Sequence, residues 1–363
     1  MNNSTTPVPP TDTIITNIRL VFYMATFVIG MVGNILVIIV LAKKPKRSIH
    51  HMFILNLAVS DLTFLIFLIP INTYELYKTV KKPEVYCRFV YLMQTISYFI
   101  SIYTITSMAI HRCHVIVNPY KRKMSNKSGY IWIALIWFIS LVIVIPIAVV
   151  NHSVNDVCEE KWFDPYHAKV YTAALFVLQF LLPLSIIAIA YARIGIFLVR
   201  QKGPQTSLGS AKQTTTLEKK RKENKQIITT LAAIVIIFTI CLFPGQIAWM
   251  VRDFGTPSQS DKIQVVFKFA DILDFIHACV NPIIYGLLTD KFRKDYKALF
   301  TGILSCGKIT ITPDREASSV NMEASNVIGA RNLDCPSECV SSEDIKTRAS
   351  AYDVTDSQVT YRF

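Results

Sequence analysis

Seven long apolar segments, separated by polar connectors, divide the chain. They cover residues 18–41, 52–77, 85–116, 131–150, 169–200, 224–251 and 263–289. A helix needs about 20 residues to cross a hydrocarbon core roughly 30 Å thick, and each segment reaches that length. The pattern therefore predicts an all-α membrane protein, a seven-transmembrane helix bundle over residues 18–289. An odd number of spans places the two termini on opposite sides of the membrane.

The chain on either side of the bundle is different in character. Residues 1–17 form a polar tail without the apolar stretch of a cleavable signal peptide. Residues 290–303 carry lysine and arginine around one apolar stripe, which consists of Phe292, Tyr296, Leu299, Phe300 and Ile303. This predicts a short amphipathic eighth helix lying on membrane lipid. Residues 304–363, rich in serine and threonine, have no apolar period and are predicted to be a disordered tail.

Composition and charge support a membrane protein and give its orientation. Hydrophobic residues make up 52% of the 363 residues and charged residues only 17%, although the net charge is +13. Soluble domains are usually about a quarter charged, so a basic nucleic-acid-binding protein is excluded. Lysine and arginine are concentrated in connectors 43–51, 112–130 and 193–226, which places these connectors in the cytoplasm. We expect a multi-pass protein of the plasma membrane with its N-terminus outside.

Few of the eight cysteines lie on the oxidising outer side of this topology. Cys87 and Cys158 are the two that do, so a disulfide between them is the one outer pairing that the topology allows. Two free thiols are the alternative. Outward-facing sequons predict glycosylation at Asn2 or Asn3, and at Asn151. On the inner side, Cys306 follows the eighth helix and is a candidate for palmitoylation.

Short motifs occur at fixed places in all seven spans. They are Gly33-Asn34, the run Leu55 to Asp61, Arg112 with Pro119, Trp137, Pro183 with Tyr191, Phe238 with Cys241-Leu242-Phe243-Pro244, and Asn281-Pro282-Ile283-Ile284-Tyr285. Together they resemble the rhodopsin-like (class A) G-protein-coupled receptors, of the neuropeptide-receptor type. The resemblance covers residues from about 18 to 306.

The resemblance implies activation by an outward motion of the sixth helix, which opens a cytoplasmic crevice for a heterotrimeric G protein. The implied coupling and activation residues are His111, Arg112, Tyr191, Tyr285, Asn281, Pro282, Ile102, Pro183, Phe238 and Pro244. A proline removes a backbone hydrogen bond within a helix, so the three mid-span prolines are places where a helix can bend. Receptor kinase and arrestin are expected partners of the tail, at Ser341, Ser342 and the hydroxyl residues after them.

Several positions depart from the family pattern. His111 stands where an acid usually precedes the arginine of span three, and Asn224 stands where an acid usually faces that arginine from span six. Neither usual carboxylate is therefore present near Arg112, so we predict a looser inactive state with measurable ligand-free signalling. Leu242 replaces the usual tryptophan, so the rotamer switch assigned to that tryptophan does not carry over.

A small polar network within the spans resembles the sodium pocket of the family. Its members are Asn34, Asp61, Ser101 and His277, together with Asn281. A sodium ion near Asp61 is the one cofactor that the resemblance implies. We expect His277, which replaces a more usual polar partner, to pair with Asp61 and weaken sodium binding. A histidine that is only hydrogen-bonded within the bundle is the alternative.

The outer half of the bundle indicates the class of ligand. Amine receptors of the family have an aspartate where this chain has Gln94, so a monoamine is not expected. Asp271 and Asp274 lie three residues apart inside span seven, on one helix face, where carboxylates attract a cation. We predict a peptide ligand with arginine, lysine or an amidated end. The other candidate ligand-binding residues are Tyr98, Glu75, Gln179, Gln246 and Arg252.

The connector 151–169 has alternating residues and is predicted to form a hairpin over a wide peptide entrance. Its Glu159 and Glu160 are either part of an acidic rim or simply a solvated face of the loop. Other functions are also open. A non-coupling or constitutively active receptor, or a decoy, for a peptide or chemokine-like ligand is the main alternative. A transporter is disfavoured because the sequence has no internal repeat. No catalytic residues or metal ligands are predicted, and the chain is not expected to be an enzyme.

Overall fold

A computed structural model describes residues 10–44, 47–77, 81–120, 124–200 and 211–304. Seven of its helical segments are long and apolar enough to cross a membrane, so the predicted architecture is confirmed. The first four spans are Pro10–Ala42 (α1), Ile49–Glu75 (α2), Glu84–Val117 (α3) and Asn126–Val150 (α4). Span five consists of Pro165–Phe176 (α5), the π-helical turn Val177–Leu181 and Leu182–Arg200 (α6). Spans six and seven are Ala211–Phe254 (α7) and Pro257–Leu288 (α8).

All seven spans begin earlier than the apolar pattern predicts, most of all α1, α7 and α8, and residues 10–17 of the expected outer tail are helical. Helix α7 extends from Ala211, inside the expected connector 193–226, because its lysine-rich segment favours a helix outside the membrane as well. Helix α8 begins at Pro257, where Thr256 and Gln259 form a capping box. The expected outer connector 252–262 is thereby reduced to a very short link between spans six and seven.

The connector between spans four and five contains the predicted hairpin. Its strands, Asn151–Val154 (β1) and Val157–Glu160 (β2), are antiparallel with Ser153 opposite Cys158. Asn155 and Asp156 form the turn with positive φ angles of 51° and 65°, which suits a two-residue hairpin turn. The Cys87–Cys158 disulfide is present and fixes the hairpin to the outer end of α3.

Helix α3 lies at the centre of the bundle and packs against α2, α4, α6 and α7. On the other side, α1 approaches α2 and α8 closely at Gly30. A β-carbon there would lie 2.5 Å from Leu65 Cδ1 and 3.0 Å from Cys279 Cβ. Asn34 Nδ2 adds hydrogen bonds to the carbonyl oxygens of Gly30 (3.0 Å) and Ala278 (2.9 Å). Small residues and interhelical hydrogen bonds of this kind hold membrane helices together.

The eighth helix, Asp290–Leu304 (α9), follows span seven as predicted. Its Phe292 and Leu299 are buried against the bundle, whereas Phe300 is exposed. Lys44 Nζ lies 3.0 Å from Asp295 Oδ2, and these side chains are only 3% and 1% exposed. This ion pair attaches α9 to the end of α1. The sites predicted at Asn2, Asn3, Cys306, Ser341 and Ser342 lie outside the described residues.

Candidate ligand-binding and activation site

Asp274 is connected to span three in the outer half of the bundle. Tyr98 donates a hydrogen bond of 2.6 Å to its Oδ2 atom, and Gln94 Nε2 donates to the Tyr98 hydroxyl at 3.4 Å. Asp274 forms no ion pair with any lysine, arginine or histidine in the described part of the chain. The phenol orients this carboxylate without supplying a positive charge to neutralise it.

Asp271 has a different environment from Asp274. Arg19 Nη2 lies 3.5 Å from Asp271 Oδ2 and donates a 2.7 Å hydrogen bond to the Tyr23 hydroxyl. The guanidinium also lies 5.6 Å from the centre of the Tyr23 ring. Span one thus supplies the cation for Asp271, because α1 and α8 are packed side by side.

Gln179 and Gln246 form a pair between spans five and six. Gln246 Nε2 donates to Gln179 Oε1 at 2.9 Å. Gln179 lies in the π-helical turn, just before Pro183, and is 4% exposed. Its Nε2 atom is buried and has no hydrogen-bond partner among the described residues. Because an unsatisfied buried donor is costly, this amide is a candidate contact for a carbonyl oxygen.

The acids at the rim of the bundle have partners within the protein. Glu75 pairs with Lys82 Nζ at 3.0 Å and accepts a hydrogen bond from the Tyr86 hydroxyl. Glu160 accepts a hydrogen bond from Trp162 Nε1 at 2.8 Å. Glu75 is therefore a structural contact between span two and the start of span three, rather than an unpaired anchor for a ligand.

Arg252 belongs to a rim cluster that contains an acid overlooked in the sequence. It pairs with Glu160 (3.4 Å) and with Asp253 (3.0 Å), and its guanidinium lies 3.8 Å from the centre of the Trp249 ring. Asp253 also accepts a hydrogen bond from Thr172. Asp253 could have been identified from the sequence, because it directly follows Arg252. The cluster joins spans five and six to the hairpin.

Asn151 is the first residue of β1 and is 2% exposed, with a buried side-chain Nδ2 atom. Glycosylation needs an accessible amide nitrogen. The expectation that Asn151 carries a glycan is therefore wrong for this fold, because the residue is enclosed where span four meets the hairpin.

The polar network lies below the ligand-binding half. Asn281 Nδ2 donates to Asp61 Oδ2 at 2.8 Å, and the Ser101 hydroxyl lies 3.3 Å from that of Ser60, the neighbour of Asp61. His277 does not pair with Asp61, contrary to expectation. Its ring meets the Phe238 ring edge-on at 4.8 Å between centres, and its Nε2 atom is buried without a hydrogen-bond partner in the described chain.

The expected switch residues lie in the centre of the bundle. Ile102 and Phe238 are fully buried, and Pro183 lies two residues after the π-helical turn of span five. Pro244 and Pro282 lie within α7 and α8. Each of spans five, six and seven thus contains a proline within its helical segment.

The inner half contains the residues expected to meet a G protein. Arg112 is buried, and the ring of neighbouring His111 lies edge-on to Phe53 at 6.3 Å between centres. The Tyr191 hydroxyl donates to the Ile228 carbonyl oxygen at 3.4 Å, which connects span five to span six. Tyr285 stacks on the Phe292 ring of α9, with 5.2 Å between the ring centres.

Comparison with known proteins identifies the family. A family model described as "7 transmembrane receptor (rhodopsin family)" matches residues 33–285, more than half of the chain. The chain belongs to this family. It is 32% identical over 301 residues to Neuropeptide FF receptor 1 of Rattus norvegicus, covering 77% of this chain and 69% of the relative.

Two further relatives of this rhodopsin-family receptor have similar coverage of its sequence. Galanin receptor type 1 of Homo sapiens is 30% identical over 296 residues, which cover 78% of this chain and 81% of the relative. RYamide receptor of Drosophila melanogaster is 28% identical over 291 residues, which cover 76% of this chain and 62% of the relative. The resemblance inferred from the motifs is thereby confirmed.

Proposed function

We propose that this rhodopsin-family receptor is activated by a peptide with a cationic group and that Asp274 binds this group. The main support is the contrast between the two acids of span seven. Arg19 already neutralises Asp271, whereas the one partner of Asp274 among the described side chains is the neutral phenol of Tyr98. A buried carboxylate without a cationic partner is costly, so a ligand cation that reaches it is favoured.

A carbonyl or amide end of the peptide would suit the opposite wall of the bundle. Gln179 Nε2 is a buried donor with no partner among the described residues, and Gln246 orients the side chain of Gln179. The relatives are named for neuropeptide FF, galanin and RYamide, which supports a peptide as the ligand class. An amidated basic peptide could pair its cation with Asp274 and offer its terminal carbonyl oxygen to Gln179.

Signalling through heterotrimeric G proteins is general to this family, and we propose that it proceeds by outward motion of span six. The basic connectors favour a plasma-membrane orientation with the N-terminus outside. The exposed Phe300 and the surrounding lysines of α9 favour contact with membrane lipid. Receptor kinase and arrestin are proposed partners of the tail.

A sodium ion near Asp61 is also proposed. Asn281 Oδ1 is buried without a hydrogen-bond partner in the described chain, and the Ser60 and Ser101 hydroxyl oxygens lie 3.3 Å apart nearby. Hard cations prefer oxygen ligands, so Asp61, Ser101 and Asn281 would hold the ion. His277 contacts Phe238 instead and would not compete for the carboxylate.

The test is nucleotide exchange by the purified receptor in lipid nanodiscs with a panel of heterotrimeric G proteins. Amidated peptides with arginine would be compared with analogues in which citrulline replaces arginine, or a free acid replaces the amide. We expect exchange with the amidated arginine peptides and much less with either analogue. Equal activity of the citrulline peptides would overturn the cationic-ligand proposal. Binding without exchange on any G protein would indicate a decoy.

A further inference from the structure

Two ion pairs of opposite polarity join the inner end of span six to the start of α9. Lys291 Nζ lies 3.3 Å from Glu223 Oε2, and Lys222 Nζ lies 3.4 Å from Asp290 Oδ2. Lys222 and Glu223 are neighbours on α7, and their partners, Asp290 and Lys291, are neighbours on α9. Such reciprocal pairing favours one register of the two helices over others.

Neutral hydrogen bonds continue this contact along the same side of α7. Gln226 Nε2 donates to Asp290 Oδ2 at 2.6 Å, and the hydroxyl oxygens of Thr230 and Thr289 are 3.2 Å apart. Glu223, Gln226 and Thr230 are spaced by three and four residues, so they lie on one helix face. This face of α7 contacts residues 289–291.

Asp290 is the acid shared by most of these contacts. The hydrogen bond from Gln226, with those from Arg293 and Lys222, holds the pKa of the Asp290 carboxyl below its usual range. It is therefore a carboxylate at cytosolic pH, as ion pairing with Lys222 requires.

The α9 side of the contact is fixed to the rest of the bundle. The buried Lys44–Asp295 ion pair attaches α9 to the end of α1. Phe292 is buried and stacks on Tyr285 of span seven at 5.2 Å between ring centres. A movement of span six would therefore leave α9 in place and separate the two helices.

We propose that Lys222, Glu223, Asp290 and Lys291 form a clamp that holds span six inward in the inactive receptor. The clamp would act where His111 and Asn224 replace the family's usual acids. It rests on the proposed signalling by outward motion of span six. The four side chains are 33% to 72% exposed, and exposed pairs contribute little each. A clamp of this strength is one that ligand binding could open.

Charge exchange tests the clamp in the full-length receptor in lipid nanodiscs. Glu223→Lys and Lys291→Glu are made singly and together. Nitroxide-bearing unnatural amino acids at Thr229 and Lys297 report the distance between α7 and α9, and nucleotide exchange without ligand reports basal signalling. Each single variant is expected to lengthen the distance and raise basal exchange by about twofold to fivefold. The double variant is expected to restore both.

Matched controls reverse a charge on each helix without touching the clamp. Lys225→Glu and Lys294→Glu suit this purpose because both residues are exposed and have no ion pair within the described ranges. Unchanged distances in the single variants would overturn the proposal, as would an equal effect of the controls or a double variant that is not restored. A longer distance without nucleotide exchange on any G protein would support the clamp and count against G-protein coupling.

Discussion

Tyr98 and Asp274 form a direct hydrogen bond of 2.6 Å that joins span three to span seven. The two residues are 176 positions apart, and the bond fixes the carboxylate within the outer half of the bundle. A ligand cation that binds Asp274, as proposed, would approach a carboxylate that already accepts this hydrogen bond. Ligand binding would then be coupled to the contact between spans three and seven.

Asp274→Asn is expected to lower the potency of an arginine-containing peptide by roughly 30-fold or more, since losing one partner of a buried charge pair costs about 2 kcal/mol or more. Asp271→Asn should have a smaller effect, because Arg19 already occupies that carboxylate. Peptide concentration–response curves for nucleotide exchange measure both. Glu159→Gln, on the exposed face of the hairpin, is the control. An equal loss in the Asp271 variant would contradict the assignment of Asp274.

Replacing His111 by aspartate should lower ligand-free nucleotide exchange by about twofold to fivefold. The new carboxylate would lie beside Arg112 and stabilise the inactive arrangement of the inner half of the bundle. His114→Asp introduces the same charge three residues further along α3 at an exposed position and serves as the control. An unchanged baseline in the His111 variant, at equal surface expression, would show that the acid missing from this position does not set basal activity.

Sodium should reduce agonist potency in the wild-type receptor, and Asp61→Asn should abolish that effect because it removes the only charged oxygen ligand of the proposed pocket. His277→Asn should leave the sodium effect unchanged, because His277 contacts Phe238 rather than Asp61. Potency measured in sodium and in N-methylglucamine buffers separates the two variants. A sodium effect that persists in the Asp61 variant would rule out this site.

Gly30→Ala is expected to lower the melting temperature of the detergent-solubilised receptor. Its new β-carbon would meet Leu65, which is fully buried, and Cys279 at 2.5 and 3.0 Å. Overpacking of this kind typically costs about 1–3 kcal/mol. Gly195→Ala is a matched control, because no heavy atom lies within 4 Å of its added β-carbon. The same melting temperature for both variants would mean that α1 can shift to accommodate the methyl group.

Features that depend on local pattern were predictable from the sequence. Apolar segments locate the spans because each must satisfy its own backbone within lipid. The Cys87–Cys158 disulfide was predictable because no other cysteines share the outer side. The hairpin could be anticipated from its alternating residues, although the sequence did not identify Asn155 and Asp156 as its turn.

Contacts between distant side chains were not predictable in the same way. Arg19 and Asp271 are 252 positions apart, and their ion pair depends on the rotation of two helices about their own axes. Glu223 could be noted as an acid near Asn224, but its pairing with Lys291 depends on how α9 packs beside α7. The burial of Asn151 depends on the junction of span four with the hairpin, which a three-residue sequon does not describe.

Because α7 is long, a small bend at Pro244 moves the far end of the helix by a large distance. Glu223 is 21 residues before this proline on a continuous helix, which corresponds to about 30 Å at about 1.5 Å per residue. A bend of roughly 10° at Pro244 would displace the inner end of the helix by about 5 Å. A displacement of that size far exceeds the reach of a hydrogen bond or an ion pair. A change of a few tenths of an ångström beside Gln246 could thus become a loss of the contacts between α7 and α9.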